Sequence, residues 1–468
     1  MNRATYELWV RDPATNLRTV LIDDYKELRF SPKVNNYAGF SFSIHQSSSH
    51  VADIDYKDRL EIVRRVTNPL TETETRQNFG HIVLAKERTL DQSGIPSEYI
   101  TFSGLGYIAY LASRVILPPS ATDSSGAITM TATSGDSTFS TSSSITLYSG
   151  DLVTPASPST QARVVKFTVT GTSFSTTEAF TAGVTTQTFT ITRAQSRKAD
   201  SADDVMKAYV RDCLTAATDT TRNLSFFSVA SDAGADSSIE WSSRYQNLLS
   251  ELREISDAAS TDFDVVAQTD GTLQFTTYYP QLGTDRRETN TLGNAPVIFA
   301  IERDNIAEQR WFKSGLQMVE QGSNAIYVGG QGNGAQRTIT QRLAPQSILT
   351  WERWEKFVDA RDAQDATQLS DRADSKIEEM SGVDTGVSFR ALSSESTIWG
   401  VHYNLGDLVT VRIWREGISF NDQITTIEAW VDGAGNEIVR PIVGSEMPRF
   451  DRRFNRLKRN DERLGVID

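Results

Sequence analysis

Apolar and polar side chains alternate over much of the chain. Tyr6, Leu8 and Val10 occupy every second position, as do Phe40, Phe42 and Ile44, the period of a strand with one buried face. Leu60, Ile62 and Val63, then Phe79-Gly80-His81-Ile82-Val83, predict further strands. Asp12-Pro13-Ala14-Thr15-Asn16 predicts a turn, since Pro sets φ and Asp or Asn can bond the local backbone. Gly106 to Val115 predicts a short helix, so residues 1–117 are expected to form a small β-barrel with a closing helix.

Serine and threonine dominate 118–198, yet Val165, Phe167 and Val169, and again Phe189 and Ile191, keep the strand period. Pure disorder lacks such patterned runs, so an inserted β-domain is expected. Residues 199–298 mix periods. Ser201-Ala202-Asp203-Asp204 has the form of a capping box. Leu248, Leu252, Ile255 and Ala259 share one helical face, and Phe263, Val265, Asp270-Gly271, Leu273 and Phe275 describe a hairpin. Residues 299–448 return to β as a second barrel, broken by a helix at 366–381 that Asp365 caps, Gly382 ends, and Leu369, Ala373, Ile377 and Met380 stripe. A last hairpin turns at Asp432-Gly433-Ala434-Gly435-Asn436. The expected fold is a β-dominated α+β chain of several domains: two small β-barrels, a mixed α/β domain between them, and an inserted β-domain.

Length agrees, because 468 residues exceed what one hydrophobic core supports. No run of 18 apolar residues occurs, and Met1-Asn2-Arg3-Ala4-Thr5-Tyr6 leads straight into strand alternation, so synthesis in a cytoplasm is expected. Cys213 is the single cysteine, which excludes an internal disulfide and predicts a small buried side chain. A net charge of −13 argues against gripping nucleic acid over the surface but suits a wall past which DNA slides.

Catalytic chemistry finds no support in the residues: no catalytic, cofactor-binding or metal-binding set is expected. His45 and His50 lack zinc-site spacing, and with His81 and His402 they read as solvated or strand-edge histidines. The glycines Gly329, Gly330, Gly332 and Gly334 resemble a phosphate loop only superficially. No Gly-Lys-Ser/Thr follows, and Ala325-Ile326-Tyr327-Val328 before them with Gln336-Arg337-Thr338-Ile339-Thr340 after them predicts a glycine hairpin. Acidic pairs such as Asp23-Asp24 and Glu378-Glu379 are expected by chance in an acidic chain. The end of the chain is basic: Arg449, Arg452, Arg453, Arg456, Lys458, Arg459 and Arg463 surround Phe450, Phe454 and Leu457. Residues 449–468 are either a solvated terminus or an arm that docks on an acidic neighbour or DNA, and the apolar spacing favours a protein.

Aligning Leu60 with Leu408 also matches Val63 with Val411 and Arg64 with Arg412, an echo consistent with a duplicated barrel. Several segments stand in a familiar order. They are Trp9-Val10-Arg11-Asp12-Pro13, Phe40-Ser41-Phe42-Ser43-Ile44, Phe102-Ser103-Gly104, Asn324-Ala325-Ile326-Tyr327-Val328-Gly329-Gly330-Gln331-Gly332, Tyr403-Asn404-Leu405-Gly406-Asp407-Leu408-Val409-Thr410-Val411 and Arg440-Pro441-Ile442-Val443-Gly444. In these the chain resembles the hub or minor tail proteins of long-tailed, non-contractile phages, related to the contractile-phage baseplate hub.

The resemblance spans about four fifths of the chain, omitting 118–198 and the basic tail. It implies a homotrimer whose six barrels meet a sixfold tail tube at the virion tail tip. The implied partners are the distal tail protein, the tape measure protein, a downstream tip or fibre protein, and DNA in transit. Two alternatives stay open: a tail-associated cell-wall hydrolase, and a receptor-binding protein whose 118–198 segment binds a host-surface glycan.

Overall fold

The computed structural model describes residues 4–13, 15, 17–90, 96–268, 270–313, 323–330, 337–360, 366–381, 385–392 and 397–445. Strands from both ends of the chain build one thirteen-stranded sheet. Across its main path the order is Arg18–Ile22, Thr5–Arg11, Arg59–Thr67, Glu74–Glu87, Tyr99–Gly106, Gly39–His45, Tyr25–Ser31, Ile418–Val431, Glu437–Gly444, Thr385–Ala391 and Ile306–Lys313. Leu408–Ile413 and Ile298–Phe299 branch from it. The seam pairs Phe30 with Ala429, Arg29 with Trp430 and Leu28 with Val431. Besides the seam, the long strand Ile418–Val431 serves two further partners: its first half pairs with Leu408–Ile413, its second with Glu437–Gly444, and the register shifts between Ile424 and Thr426.

The alternation read from the sequence is the buried face of this sheet. Leu8, Val10, Phe40, Phe42 and Ile44 enter one core with Phe299, Val387, Phe389, Val409 and Val443. Each such side chain contributes about 1.5–3 kcal/mol on burial. Neither expected barrel closes among the described residues: the sheet path is open and joins both ends of the chain. Alternation fixes which face of a strand is buried, but not which strand lies beside it or whether a sheet closes. The helix expected over 106–115 shrinks to one turn, Ala109–Ala112, because strand Tyr99–Gly106 runs up to it. Its Leu111, with Ile108 and Ile116, packs into the core of the following mixed segment, beside Val205, Met206, Leu252 and Phe263.

The Ser/Thr-rich segment folds as two four-stranded sheets. They enclose a core drawn from its own residues, among them Met130, Phe139, Leu147, Phe174, Phe180, Phe189 and Ile191. Phe167 departs from the expected alternation. The strand starts only at Val169, and Phe167 is left exposed with the Lys166 ammonium 5.1 Å from its ring centre. Strand Ser196–Ser201 pairs with Ser238–Ser243 in the mixed segment, so it straddles the boundary expected at 198.

In the mixed segment the helix Leu248–Ala259 buries Leu248, Leu252, Ile255 and Ala259. The Asn247 side chain accepts from Ser250 N, and Ser260 ends the helix with a left-handed backbone. The hairpin closes between Asp262–Ala267 and Leu273–Tyr278, with Gly271 at φ 88°. The capping box at Ser201 takes another form. Ser201 Oγ donates to Asp203 (2.8 Å), whose carboxylate also holds Lys207 (3.0 Å) and the Ala235 amide (3.1 Å). Asp204 accepts from the amides of Ala233 and Gly234. These carboxylates therefore order the 231–236 loop, and Asp203 meets the N-cap through the Ser201 hydroxyl instead of its backbone amide. Cys213 is buried beside Leu214, and burial pushes its thiol up to about 11, the chemistry of an inert packing residue.

Candidate functional site: the sheet seam, its groove and an exposed apolar face

The inner side of the seam is held by a buried ion pair. Arg64 donates from Nε to Glu437 Oε1 (2.6 Å) and from Nη2 to Oε2 (2.9 Å). Its Nη1 reaches Gln77 Oε1 (3.0 Å) and Trp399 O (2.8 Å), and the indole of Trp399 lies 4.4 Å from the guanidinium. The Tyr6 hydroxyl donates to Glu437 and accepts from Arg64 Nε. Arg64 is raised further above its ordinary range, because its bonds to Glu437 outweigh the burial that opposes its charge. Burial first, then Glu437, likewise pushes Tyr6 up. Gly400 is required at this site. Its φ is 83°, and a Cβ there would stand 2.7 Å from Gln77 Oε1. The cluster joins residues 6, 64 and 77 to residues 399 and 437, and so locks the two ends of the chain together.

Across the outer side of the same seam runs a groove of about 670 Å³. Strand pairing sets Ser41 beside Arg29, Arg29 beside Trp430, Trp430 beside Ile438, and Glu428 beside Arg440. Arg29 lies over Trp430, with its guanidinium 5.0 Å from the ring centre. At the far end Arg440 (3.0 Å) and Arg390 (3.6 Å) both meet the carboxylate of Glu308. Glu308 sits where the register of Ile306–Lys313 shifts, with a left-handed backbone at φ 56°.

A third surface belongs to a small sheet. Ala325–Gly329 pairs antiparallel with Ile339–Leu343 and parallel with Glu355–Asp359. Ile326 and Val328 pack against Leu369, Ala373 and Met380 of helix Ala366–Ser381. The opposite face has no such cover among the described residues. There Ile339, Leu343 and Phe357 (51%) are exposed, and the segment leading to the third strand leaves Leu349 (81%), Trp351 (47%) and Trp354 (57%) exposed as well.

Gly329 and Gly330 lie at the end of the first strand of that hairpin, where Gly330 N donates to Thr338 O (2.8 Å). A Cβ on Gly329 would stand 2.5 Å from Phe357 and one on Gly330 2.9 Å from Leu369, so close packing is what their missing side chains serve. Gly332 and Gly334, and the arm residues Arg449, Phe450, Arg452, Arg453, Phe454, Arg456, Leu457, Lys458 and Arg459, lie outside the described residues, as do Asp365 and Gly382.

His81, expected at a surface or strand edge, is instead fully buried against Phe40, with ring centres 4.9 Å apart. No partner meets hydrogen-bond geometry at either ring nitrogen. Burial, offset only in part by the Phe79 backbone, pulls its pKa down to about 3. His50 meets Asp23 (3.6 Å) and Asp53 (3.2 Å) at the surface, where Asp23, Asp24 and His50 could share one ion.

Sequence reasoning singled out neither groove nor seam. Arg29, Arg390 and Arg440 each lie next to buried residues of their strands, which marks them as outward-facing. Their convergence from three distant segments leaves no local signal.

Among solved structures, the chain is similar to the tail protein from Neisseria meningitidis MC58. The two are 11% identical, with 94% of this chain and 97% of that one covered at a TM-score of 0.47. It is also similar to the 43 kDa tail protein of prophage MuSo2 from Shewanella oneidensis, at 10% identity, 94% and 97% coverage and TM-score 0.46. A third is the prophage tail protein gp18 from Listeria monocytogenes EGD-e, at 11% identity, 97% and 98% coverage and TM-score 0.42. No curated protein matches the chain. The family model described as Siphovirus ReqiPepy6 Gp37-like protein matches residues 158–445. That is more than half of the 468 residues, and the chain therefore belongs to the Siphovirus ReqiPepy6 Gp37-like family.

Proposed function

We propose that this chain is a phage tail protein and the hub of the tail tip. In this reading three copies form a ring that joins the tail tube and distal tail protein to a downstream tip or fibre protein. The ring assembles around the tape measure protein, and DNA passes through it on ejection. The observation that carries an assembled role is the apolar face on the small sheet. The outer face of that sheet exposes Ile339, Leu343 and Phe357, and the segment leading to its third strand exposes Leu349, Trp351 and Trp354. Exposed apolar surface on that scale suits a contact with another protein. The sheet shared by both chain ends supplies a stiff wall for such a ring. The basic arm 449–463 is read as an anchor on an acidic neighbouring tail protein, where apolar burial and charge pairing act together. Imaging the purified tail tip tests the ring: threefold symmetry is expected, and a twofold or sixfold arrangement of this chain refutes it.

One observation favours a second role for the insertion. It has a core of its own, so it can project from the wall and contact a host-surface glycan. Glycan-array binding by the full chain, lost on deleting the insertion, is the expected result.

A further inference from the structure

The groove on the outer side of the seam has features that the ring reading does not use. Three arginines line it, Arg29, Arg390 and Arg440, against two glutamates, Glu308 and Glu428. A left-handed backbone costs about 1 kcal/mol at a residue with a Cβ. Glu308 is nevertheless held that way, at a bulge in a strand on the sheet's edge. The next residue explains how. Gln309 Nε2 donates to Arg412 O (2.8 Å), and Gln309 Oε1 accepts from Trp414 N (2.9 Å). With Gln309 pinned to the end of strand Leu408–Ile413, the bulge turns Glu308 toward Arg390 and Arg440. Bulges re-aim single side chains in this way.

We propose that this groove binds an acidic, extended peptide segment of a partner protein, and that Glu308 occupies the carboxylate position while the partner is absent. The group already seated between Arg390 and Arg440 is a carboxylate, so a partner's Asp or Glu replaces it with no change of charge or geometry. The Trp430 face under Arg29 offers the flat wall on which the segment's backbone and methylenes pack. Arg29 also meets Glu27 (3.5 Å), so three arginines stand with three glutamates, and exchanging Glu308 for one partner carboxylate keeps that balance. A balanced groove disfavours the dense charge of a polyphosphate or DNA. This inference holds for a monomer or a ring.

The test uses the full chain at low salt and a fluorescein-labelled hexaglutamate peptide, read by anisotropy. Binding that weakens with added salt is expected. Glu308→Gln removes the resident competitor and is expected to tighten binding about tenfold. Arg440→Ala and Arg390→Ala are each expected to weaken it about tenfold, the scale of one charge-assisted hydrogen bond. Should Arg440→Ala unfold, Arg440→Gln and Trp430→Phe read the same groove. The proposal is overturned if hexaglutamate does not bind, or if its affinity is indifferent to residues 308, 390 and 440. It is also overturned if oligo-dT of equal charge binds more tightly with the same residue dependence.

Discussion

Removing one partner of the Arg64–Glu437 pair should cost far more than removing both. The Arg64 side chain is 2% exposed and that of Glu437 12%. Glu437→Leu leaves the guanidinium in the seam with only the neutral acceptors of Gln77, Tyr6 and Trp399, at an expected cost of about 3–5 kcal/mol. Arg64→Met leaves a more accessible carboxylate with the Tyr6 hydroxyl still donating, so a cost at the lower end, about 3 kcal/mol, is expected. In the double variant no unpaired charge remains, and two apolar side chains refill the volume beside Trp399. Its cost should fall to about 1–3 kcal/mol, well short of the sum of the single changes. The assay is urea unfolding of the four proteins, followed by circular dichroism in the transition that melts the large sheet. Additive costs would show that the two charges are not coupled through the seam. A Glu437→Leu variant within about 1 kcal/mol of the parent would show that water reaches Arg64 and that the lock is superficial.

The buried His81 makes the sheet acid-sensitive. Its folded pKa of about 3 lies below the ordinary 6.5, so the stability of the neutral ring is lost as pH falls from about 6.5 toward 3. The loss should reach about 2 kcal/mol by pH 5, and His81→Leu should flatten the melting temperature between pH 7 and 5. Asp264 shows the opposite sign. Burial raises its pKa to about 6, so stability declines as pH rises through 4 to 6, and Asp264→Asn should stabilise the mixed segment at pH 7, as calorimetry would show. Gly330→Ala pushes against Leu369 and should destabilise the small sheet by about 1–3 kcal/mol, seen as faster hydrogen exchange in helix Ala366–Ser381 with no ligand added. Deleting 118–194 should leave a cooperative melt of the remainder. Extending the deletion to 198 should lower it, since Ser196 O, which accepts from Tyr209, goes with it.

Local pattern alone determined a good part of this protein. The period of two in Tyr6–Val10 and Phe40–Ile44, the four-three-four spacing of Leu248 to Ala259, and the Asp270-Gly271 turn are properties of neighbouring residues, and each became the element its spacing implies. The Ser/Thr-rich segment announced its strands in the same way, although Phe167 shows that alternation can run past a strand's end.

Tertiary structure alone decided which strands meet. Phe30 and Ala429 are paired across almost the whole chain, and nothing near either residue records the other. For that reason strands from both chain ends share one open sheet path, and Arg64 and Arg412, aligned by the internal echo, took different places. The first is buried with Glu437 and the second is half-exposed beside Glu288. His81 makes the same point in a single side chain. A histidine in a strand reads as an edge residue until the sheet packs over it, because burial depends on what covers a strand and the sequence states only which way its side chains face.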